Sequence, residues 1–403
     1  MRIININIFY SEGSTGKLVK SIHEFLSFAG HDSYVVYGRG KRKWSIENPL
    51  KIRKISFEFF SICYSYFTRI LGIRFCSSFL ETLLLIRWIL KIKPDIVHLH
   101  CMNCNYVNPY MLIRFLAFRR INTVVTNHAD ITFTGNCDHA YDCNRWKTGC
   151  GKCPNLKEAT HSVFFDNTAL AWKLMYDSFS EFSKLWVTSV SAWTDSRARQ
   201  SPFFSKAQFS IIMNGVDVRC FHYIHSNILA IKHGLSEVPF ILHVTPDFGS
   251  PLKGGEYVIQ LAKRLKSFLF IVVGAYNGNL DIPSNVLMVG HVSNQDDLAM
   301  YYSAAKLTLL TSKRETFSMV CAESLCCGTP IVGFKCGGPE EIALSNYSNF
   351  VEYGDLSLLE SMVRKWMSDS TPKENISVEA ISVYSSDVMC KKYLDLYSSI
   401  VNM

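Results

Sequence analysis

Side chains able to do chemistry crowd most densely in one string, KRETFSMVCAESLCCGTPIVGFKCGGPEEIA, from Lys313 to Ala343. Glu315 falls in the loop after an apolar LTLL run. Glu323, eight residues on, falls inside the helix expected next. A carboxylate at that second position can accept two hydrogen bonds from the vicinal hydroxyls of a ribose, as acidic residues do in dinucleotide folds. Between the two, the amides of Thr316, Phe317 and Ser318 open the helix, and a helix N-terminus attracts phosphate. Gly337-Gly338-Pro339-Glu340-Glu341 opens the next loop. One loop–helix unit of this kind can hold a nucleotide diphosphate and its sugar. Two glutamates at this spacing would alone be ordinary solvated charges; the whole string is what carries information.

Three further groups stand out. His128 ends a TVVT run in TNHADITFTGNC, where an imidazole can bond a sugar hydroxyl or shuttle a proton. Cys137, Cys143, Cys150 and Cys153 follow with spacing C-x5-C-x6-C-x2-C. Four thiolates suit structural zinc; disulfides or buried free thiols are the alternatives. Cys101 and Cys104 make a second C-x2-C with no partner pair nearby, and packing is expected there. Near the start, Gly13-Ser14-Thr15-Gly16 forms a glycine-bearing loop before a helix, able to approach an anion. It is not a Walker loop, which needs four residues between its glycines and Ser or Thr after the Lys; here Leu18 follows Lys17.

The elements that must position these residues alternate strand and helix. In the first half, strands are expected at Arg2–Phe9, Ser33–Tyr37, Asp95–Cys101 and Thr123–Thr126, with a helix at Lys17–Ala29. The pattern restarts near residue 205, with strands from Phe209, Phe240, Phe268, Val286, Leu307 and Pro330 and helices at Glu256–Lys266, Asp296–Ala304 and Ser318–Cys326. Such alternation implies parallel sheets with right-handed crossovers, hence an α/β chain of two doubly wound, Rossmann-like domains facing a cleft. The ligand then belongs at the carboxyl ends of the strands.

Composition limits the alternatives. In 403 residues, 48% are hydrophobic and 19% charged, which excludes a disordered chain. No apolar run reaches the ~18 residues of a spanning helix. The opening MRIININIFY reads as a buried strand rather than an export signal. A reducing cytoplasm is the expected compartment, on or near the inner face of the cytoplasmic membrane. The net charge of +8 is unevenly placed: Arg39 to Lys93 holds twelve Lys/Arg against three Glu, or +9, leaving −1 for the rest. Ile55 to Gly72, read as a helix, carries a narrow polar stripe (Glu58, Ser61, Ser65, Arg69) and is otherwise aromatic and aliphatic. That segment suits the interface of an anionic bilayer, unless the helix packs wholly inside its domain.

The ordered set of motifs resembles the family 4 retaining glycosyltransferases of the GT-B fold, and within them the branch that builds capsular, colanic-acid-like or O-antigen polysaccharides. The E-x7-E pattern maps onto Glu315 and Glu323, and the N-terminal glycine loop onto Gly13 to Gly16. The segment opening the second domain maps onto Asn214-Gly215-Val216-Asp217, and a basic residue before Gly onto Lys253-Gly254. The cysteine-rich stretch matches through Thr134-Gly135-Asn136-Cys137 and Thr148 to Pro154. Three departures are visible. Ala129 stands where Asp usually follows the His, with Asp130 one place later. The Gly-Arg after the first strand of the second domain is missing. Ser318 replaces a usual Gly, a change expected to be harmless.

The resemblance implies an N-terminal acceptor-side domain at 1–205, a nucleotide-sugar domain at 206–384, and a C-terminal helix (385–403) returning to the first domain. It implies transfer of a hexosyl unit from a UDP- or GDP-sugar to a hydroxyl of a growing, lipid-linked oligosaccharide, with retention and no catalytic metal. Glu315 and His128 would act at the sugar. Glu323, Lys253, Gly254, Thr316, Phe317, Ser318, Asn214, Gly338 and Glu341 would hold the donor. The rival reading is a non-enzymatic, zinc-containing, basic protein that binds nucleic acid or membrane. No basic recognition helix or RNA-binding motif supports a nucleic-acid partner. A phosphorylase or epimerase of the same fold is the enzymatic rival.

Overall fold

The computed structural model describes residues 1–40, 50–225, 238–278 and 280–403. Lys41, Arg42, Lys43 and Glu47 of the basic window lie outside the described residues. The chain divides into two units, 1–213 with 390–403, and 214–389.

The first unit is built on a parallel sheet of β1 (Arg2–Asn7), β2 (Asp32–Tyr37), β3 (Ile52–Lys54), β4 (Ile96–Leu99), β5 (Asn122–Asn127), β6 (Leu185–Ser189) and β7 (Gln208–Ile211), in the order β3-β2-β1-β4-β5-β6-β7. Its helices are α1 (Gly13–Phe28), α2 (Glu58–Leu71), α3 (Phe79–Ile92), α4 (Pro109–Phe118), α5 (Ile131–Thr134), α6 (Leu156–Thr160), α7 (Thr168–Phe179) and α8 (Ala192–Ala198). The second unit repeats the plan with β8 (Phe240–Asp247), β9 (Leu269–Ala275), β10 (Val286–Gly290), β11 (Leu307–Leu310), β12 (Ile331–Phe334) and β13 (Ser348–Val351), ordered β10-β9-β8-β11-β12-β13. Its helices are α9 (Gly255–Arg264), α10 (Gln295–Ala304), α11 (Met319–Cys326), α12 (Pro339–Ile342), α13 (Leu356–Met367) and α14 (Lys373–Tyr384); α15 (Ser386–Asn402) follows. In each sheet the strand order reverses beside the first strand, between β1 and β4 and between β8 and β11. That reversal opens the crevice where ligands of doubly wound sheets sit.

Central strands are Val/Ile-rich and buried on both faces, as a sheet covered by helices requires. Polar residues inside them are paired. Asn7 donates from Nδ2 to the Phe9 carbonyl at 2.8 Å and accepts the Cys101 amide at 3.1 Å, tying β1 to the end of β4. Residues 390–403 belong to the first unit, where the Tyr397 hydroxyl meets His98 Nδ1 at 2.5 Å and the Tyr393 hydroxyl meets Thr126 Oγ1 at 3.1 Å. No described helix is long and apolar enough to cross a membrane.

Several expectations change. The boundary lies at residue 214 rather than 206, because β7 extends the first sheet by pairing with β6, Phe209 opposite Val187. The helix after β1 begins at Gly13, so Gly13 to Gly16 are its first turn and not a loop before it. Helix α2 forms where expected and does not pack wholly inside its domain. Its polar residues Ser61 and Thr68 are buried, while Phe59, Ile62, Tyr66, Phe67 and Ile70 are exposed. Ser61 is drawn inward by Arg39, whose Nε donates to Ser61 Oγ at 2.8 Å, and by the Cys104 carbonyl, which accepts from Ser61 Oγ at 2.7 Å.

Candidate functional site

In the second unit, two loops at the carboxyl ends of β8 and β11 are fastened together. The Lys313 amide bonds the Leu252 carbonyl at 2.9 Å, and Thr311 Oγ1 bonds the Lys253 carbonyl at 3.0 Å. Gly254 permits this approach. It has φ +68°, and a Cβ there would stand 2.2 Å from the Thr311 carbonyl oxygen. The consequence is that Lys253 Nζ reaches Glu315 Oε1 at 2.7 Å, both side chains partly shielded from solvent. Glu315 is locked in turn to the loop after β12. Its amide bonds the Cys336 carbonyl at 3.0 Å, and its carbonyl accepts the Gly338 amide at 2.9 Å. Gly338 lies so close to Thr316 that a Cβ would meet the Thr316 carbonyl oxygen at 2.2 Å. Lys253, Gly254, Glu315, Thr316 and Gly338, far apart in sequence, thus form one constellation.

The start of α11 departs from expectation at Ser318. This residue has φ +72° and ψ +96°, a conformation unfavourable for any residue with a Cβ, and its Oγ accepts the Cys321 amide at 3.3 Å as an N-cap. The replacement of Gly is therefore not neutral. Phe317 is buried beneath the turn. Glu323 accepts from the hydroxyl of buried Tyr302 at 3.3 Å, and burial together with Glu323 pushes that phenol well above its usual pKa. Glu340 was not singled out by sequence, yet its carboxylate accepts the Cys336 and Gly337 amides at 2.9–3.0 Å and shapes the glycine loop. The signal was present: an acidic side chain three and four residues after those amides, at a helix start, is the arrangement of a cap. Glu341 faces solvent. Asn214 opens the second unit, and the following Gly215 and Val216 pack on Ser385–Met389; among the described residues no hydrogen bond joins Asn214 to the Lys253 group.

In the first unit, candidate residues again sit at the carboxyl ends of strands. Asn7 Nδ2 approaches Thr15 Oγ1 at 3.4 Å. Gly16 allows α1 to pass β1 closely, since a Cβ there would be 3.2 Å from Phe9. Ser14 is exposed in the same turn. His128 Nε2 lies 3.2 Å from His100 Nδ1, the rings stacked at 5.5 Å, and His100 in turn lies against His98 at 3.7 Å. Burial lowers His128 to about 4 and holds His98 and His100 well below the usual imidazole range, so all three are neutral at pH 7. A neutral imidazole can accept from a hydroxyl, which His⁺ cannot. Asp130 has a different task. It is buried, accepts the Ala140 amide at 2.8 Å and pairs with Arg197 at 3.0 Å, bracing the cysteine-bearing loop.

The four cysteines of that loop are free thiols, and burial, with neighbouring cysteines as a smaller cause, raises Cys137, Cys150 and Cys153. The donor chemistry suits zinc. Among the described residues no three His, Cys, Asp or Glu are grouped as a metal site. Cys101 and Cys104 are free as well, and burial pushes the Cys101 thiol up to about 12.

Residues 237–382 match the family model for glycosyl transferases group 1. Over its whole length the chain is similar to WcaC of Escherichia coli (strain K12), named as a colanic acid biosynthesis glycosyl transferase; 20% of residues are identical, covering 99% of this chain and 100% of the relative. Among solved structures, the sucrose-phosphate synthase of Thermosynechococcus elongatus superposes with TM-score 0.71 at 13% identity, covering 99% of both chains. Anabaena HepE, solved in complex with UDP, superposes with TM-score 0.66 at 14% identity, covering 99% of this chain and 100% of that one. Residues 237–382 are thus a glycosyl transferases group 1 domain, carried in a chain with the GT-B glycosyltransferase fold.

Proposed function

We propose that the protein transfers a hexosyl unit from a UDP- or GDP-sugar to a hydroxyl of a lipid-linked oligosaccharide during bacterial surface polysaccharide synthesis, with retention of configuration. The observation that carries this reading is the Lys253–Glu315 contact, fixed beside Gly338 and the start of α11 at the strand reversal of the second sheet. An ammonium and helix amides at that point can take up the charge of a departing nucleoside diphosphate. The full-length similarity to WcaC supports the polysaccharide setting, and the UDP bound to HepE supports the donor class.

In this reading Glu323 holds the ribose, Glu315 orients the donor sugar as well as Lys253, and His128, neutral, holds a sugar hydroxyl. The bond from the anomeric carbon to the diphosphate oxygen breaks while the acceptor oxygen adds on the same face. The acceptor's proton passes to the leaving diphosphate, so the protein's task is positioning and charge stabilisation rather than proton transfer. No catalytic metal takes part, and the four-cysteine cluster is assigned a structural role. The exposed apolar side of α2 supports attachment at an anionic membrane on its cytoplasmic face. Incubation with a panel of UDP- and GDP-sugars, scoring nucleotide release with and without lipid-linked acceptors, tests the reading. Release from no donor in the panel would refute it.

A further inference from the structure

Helix α2 exposes aromatic and aliphatic side chains and turns its hydroxyls inward. The cavity behind it, about 250 Å³, explains what the inward face is for. Three arginines line it: Arg39 from the end of β2, Arg69 from the last turn of α2, and Arg74 just beyond. Arg39 is aimed by Ser61, whose own proton goes to the Cys104 carbonyl. Asn105 braces the floor, donating from Nδ2 to Ser65 Oγ and Thr68 Oγ1 at 3.2 Å each. Arg74 shares the carboxylate of Asp138 with His161, each at 2.9 Å, and these two partners hold that carboxyl down at about 2 despite its burial. Among the described residues, Arg39 and Arg69 have no ion pair. Three guanidinium groups less one carboxylate leave +2 around the cavity.

Its mouth is apolar. Ile62 and Tyr66 line it and are 43% and 66% exposed, and Phe59, Phe67 and Ile70 on the same helix are exposed beside them. Phe164, 71% exposed, stands at the adjoining wall, where the Val163 amide is tied to the Arg69 carbonyl at 2.9 Å. A cationic pocket with an apolar rim matches an amphiphile whose anionic head is short and whose tail continues into a bilayer.

We propose that this pocket binds the diphosphate of the lipid-linked acceptor, between Arg39, Arg69 and Arg74. The proposal rests on the glycosyltransferase reading for its acceptor and adds the group that is recognised. Charge selects the diphosphate over an ordinary phospholipid head. A diphosphate joined at both ends carries two negative charges and balances +2, whereas a phosphodiester carries one. Planar guanidinium groups pair with phosphate oxygens two at a time, so the match is geometric as well as electrostatic.

The test is vesicle sedimentation of the full-length protein. Neutral phosphatidylcholine vesicles are doped with a polyprenyl diphosphate monosaccharide or, at equal surface charge, with phosphatidylglycerol; soluble pyrophosphate serves as competitor. The wild type is expected to bind the diphosphate vesicles about tenfold more tightly than the phosphatidylglycerol vesicles, and pyrophosphate to displace it. Arg69→Gln, at an exposed position, should remove most of that preference while leaving the melting temperature unchanged; Arg39→Lys, which keeps charge but not the fork, should remove most of it too, with some loss of melting temperature from the missing Ser61 bond. Equal binding to the two vesicle types would overturn the proposal in favour of plain attraction to an anionic surface. An undiminished preference in both variants would overturn it too. Neither result touches the transferase reading, which stands or falls on nucleotide release from the donor panel.

Discussion

Lys253 and Glu315, sixty-two residues apart, are joined at 2.7 Å because Gly254 lets the loop after β8 lie directly on Thr311. The ammonium that would meet the leaving diphosphate is therefore already held by the carboxylate that would orient the sugar. Glu315→Gln is expected to lower turnover by about tenfold or more, from the loss of a charge-assisted bond, while changing UDP or GDP affinity less, since Lys253 stays available to the phosphates. Lys253→Ala should do the reverse and weaken nucleotide binding. Steady-state rates and calorimetric titration separate the two. Wild-type behaviour in both variants would remove the pair from the site.

Glu323→Ala should weaken nucleotide binding by about 1.5–3 kcal/mol, tenfold or more, if the carboxylate holds the ribose. It also leaves the buried Tyr302 hydroxyl without its acceptor, so some stability should be lost. Glu323→Gln keeps an acceptor for Tyr302 and separates the two effects. A melting temperature near wild type with weakened nucleotide binding is the expected result for Gln.

Ser318→Gly is expected to stabilise the protein. Relief of a φ of +72° is worth about 1–3 kcal/mol, and a Gly N-cap costs only a few tenths relative to Ser. A net gain of about 1 kcal/mol corresponds to a rise of about 2–4 °C in melting temperature for a unit of this size. Calorimetry showing a fall would mean that the Cys321 amide needs the serine more than the backbone needs the glycine.

Acid should destabilise the first unit across a defined window. His128 is held at about 4, and His98 and His100 are also depressed by burial, whereas the unfolded chain protonates histidine near the ordinary 6.5. Between those values the unfolded state binds more protons, so the stability contributed by these neutral imidazoles is complete above 6.5 and is lost as pH falls from there towards 4. Asp138, held at about 2, matters only below the ordinary carboxyl range. Urea midpoints at pH 7.5 and pH 5 should differ, and His128→Asn should flatten the slope. A slope unchanged in that variant would show His128 titrating alike in both states.

Chelators should leave nucleotide release unchanged, because the proposed chemistry assigns charge stabilisation to Lys253 and helix amides. Loss of activity restored by added metal would place a metal in the reaction. Elemental analysis of reduced protein, prepared without chelators, reads the cysteine cluster separately. About one zinc per chain is the expected result if the four thiolates form the proposed structural site, and finding none would leave them as free thiols.

Much of this was open to a reader of the sequence, because parallel strands buried on both faces must be apolar runs and their ligands must lie just past the carboxyl ends. Val97 and Leu99 alternate with His98 and His100, and Glu315 and Gly338 stand after β11 and β12, for that reason alone. Local pattern could not assign β7, since an apolar strand pairs equally well with either sheet and only the register with β6 decides. Nor could it see that Ser318 sits at positive φ, or that Gly338 and Thr316 press together from different loops. The same holds for α2. Helical periodicity separated its hydroxyls from its aromatics, but which side faces the protein depended on Arg39, Cys104 and Asn105 arriving from other strands. Sequence determines which side chains share a face; what that face meets is decided by non-local contacts, and here they turned the polar side inward, around three arginines.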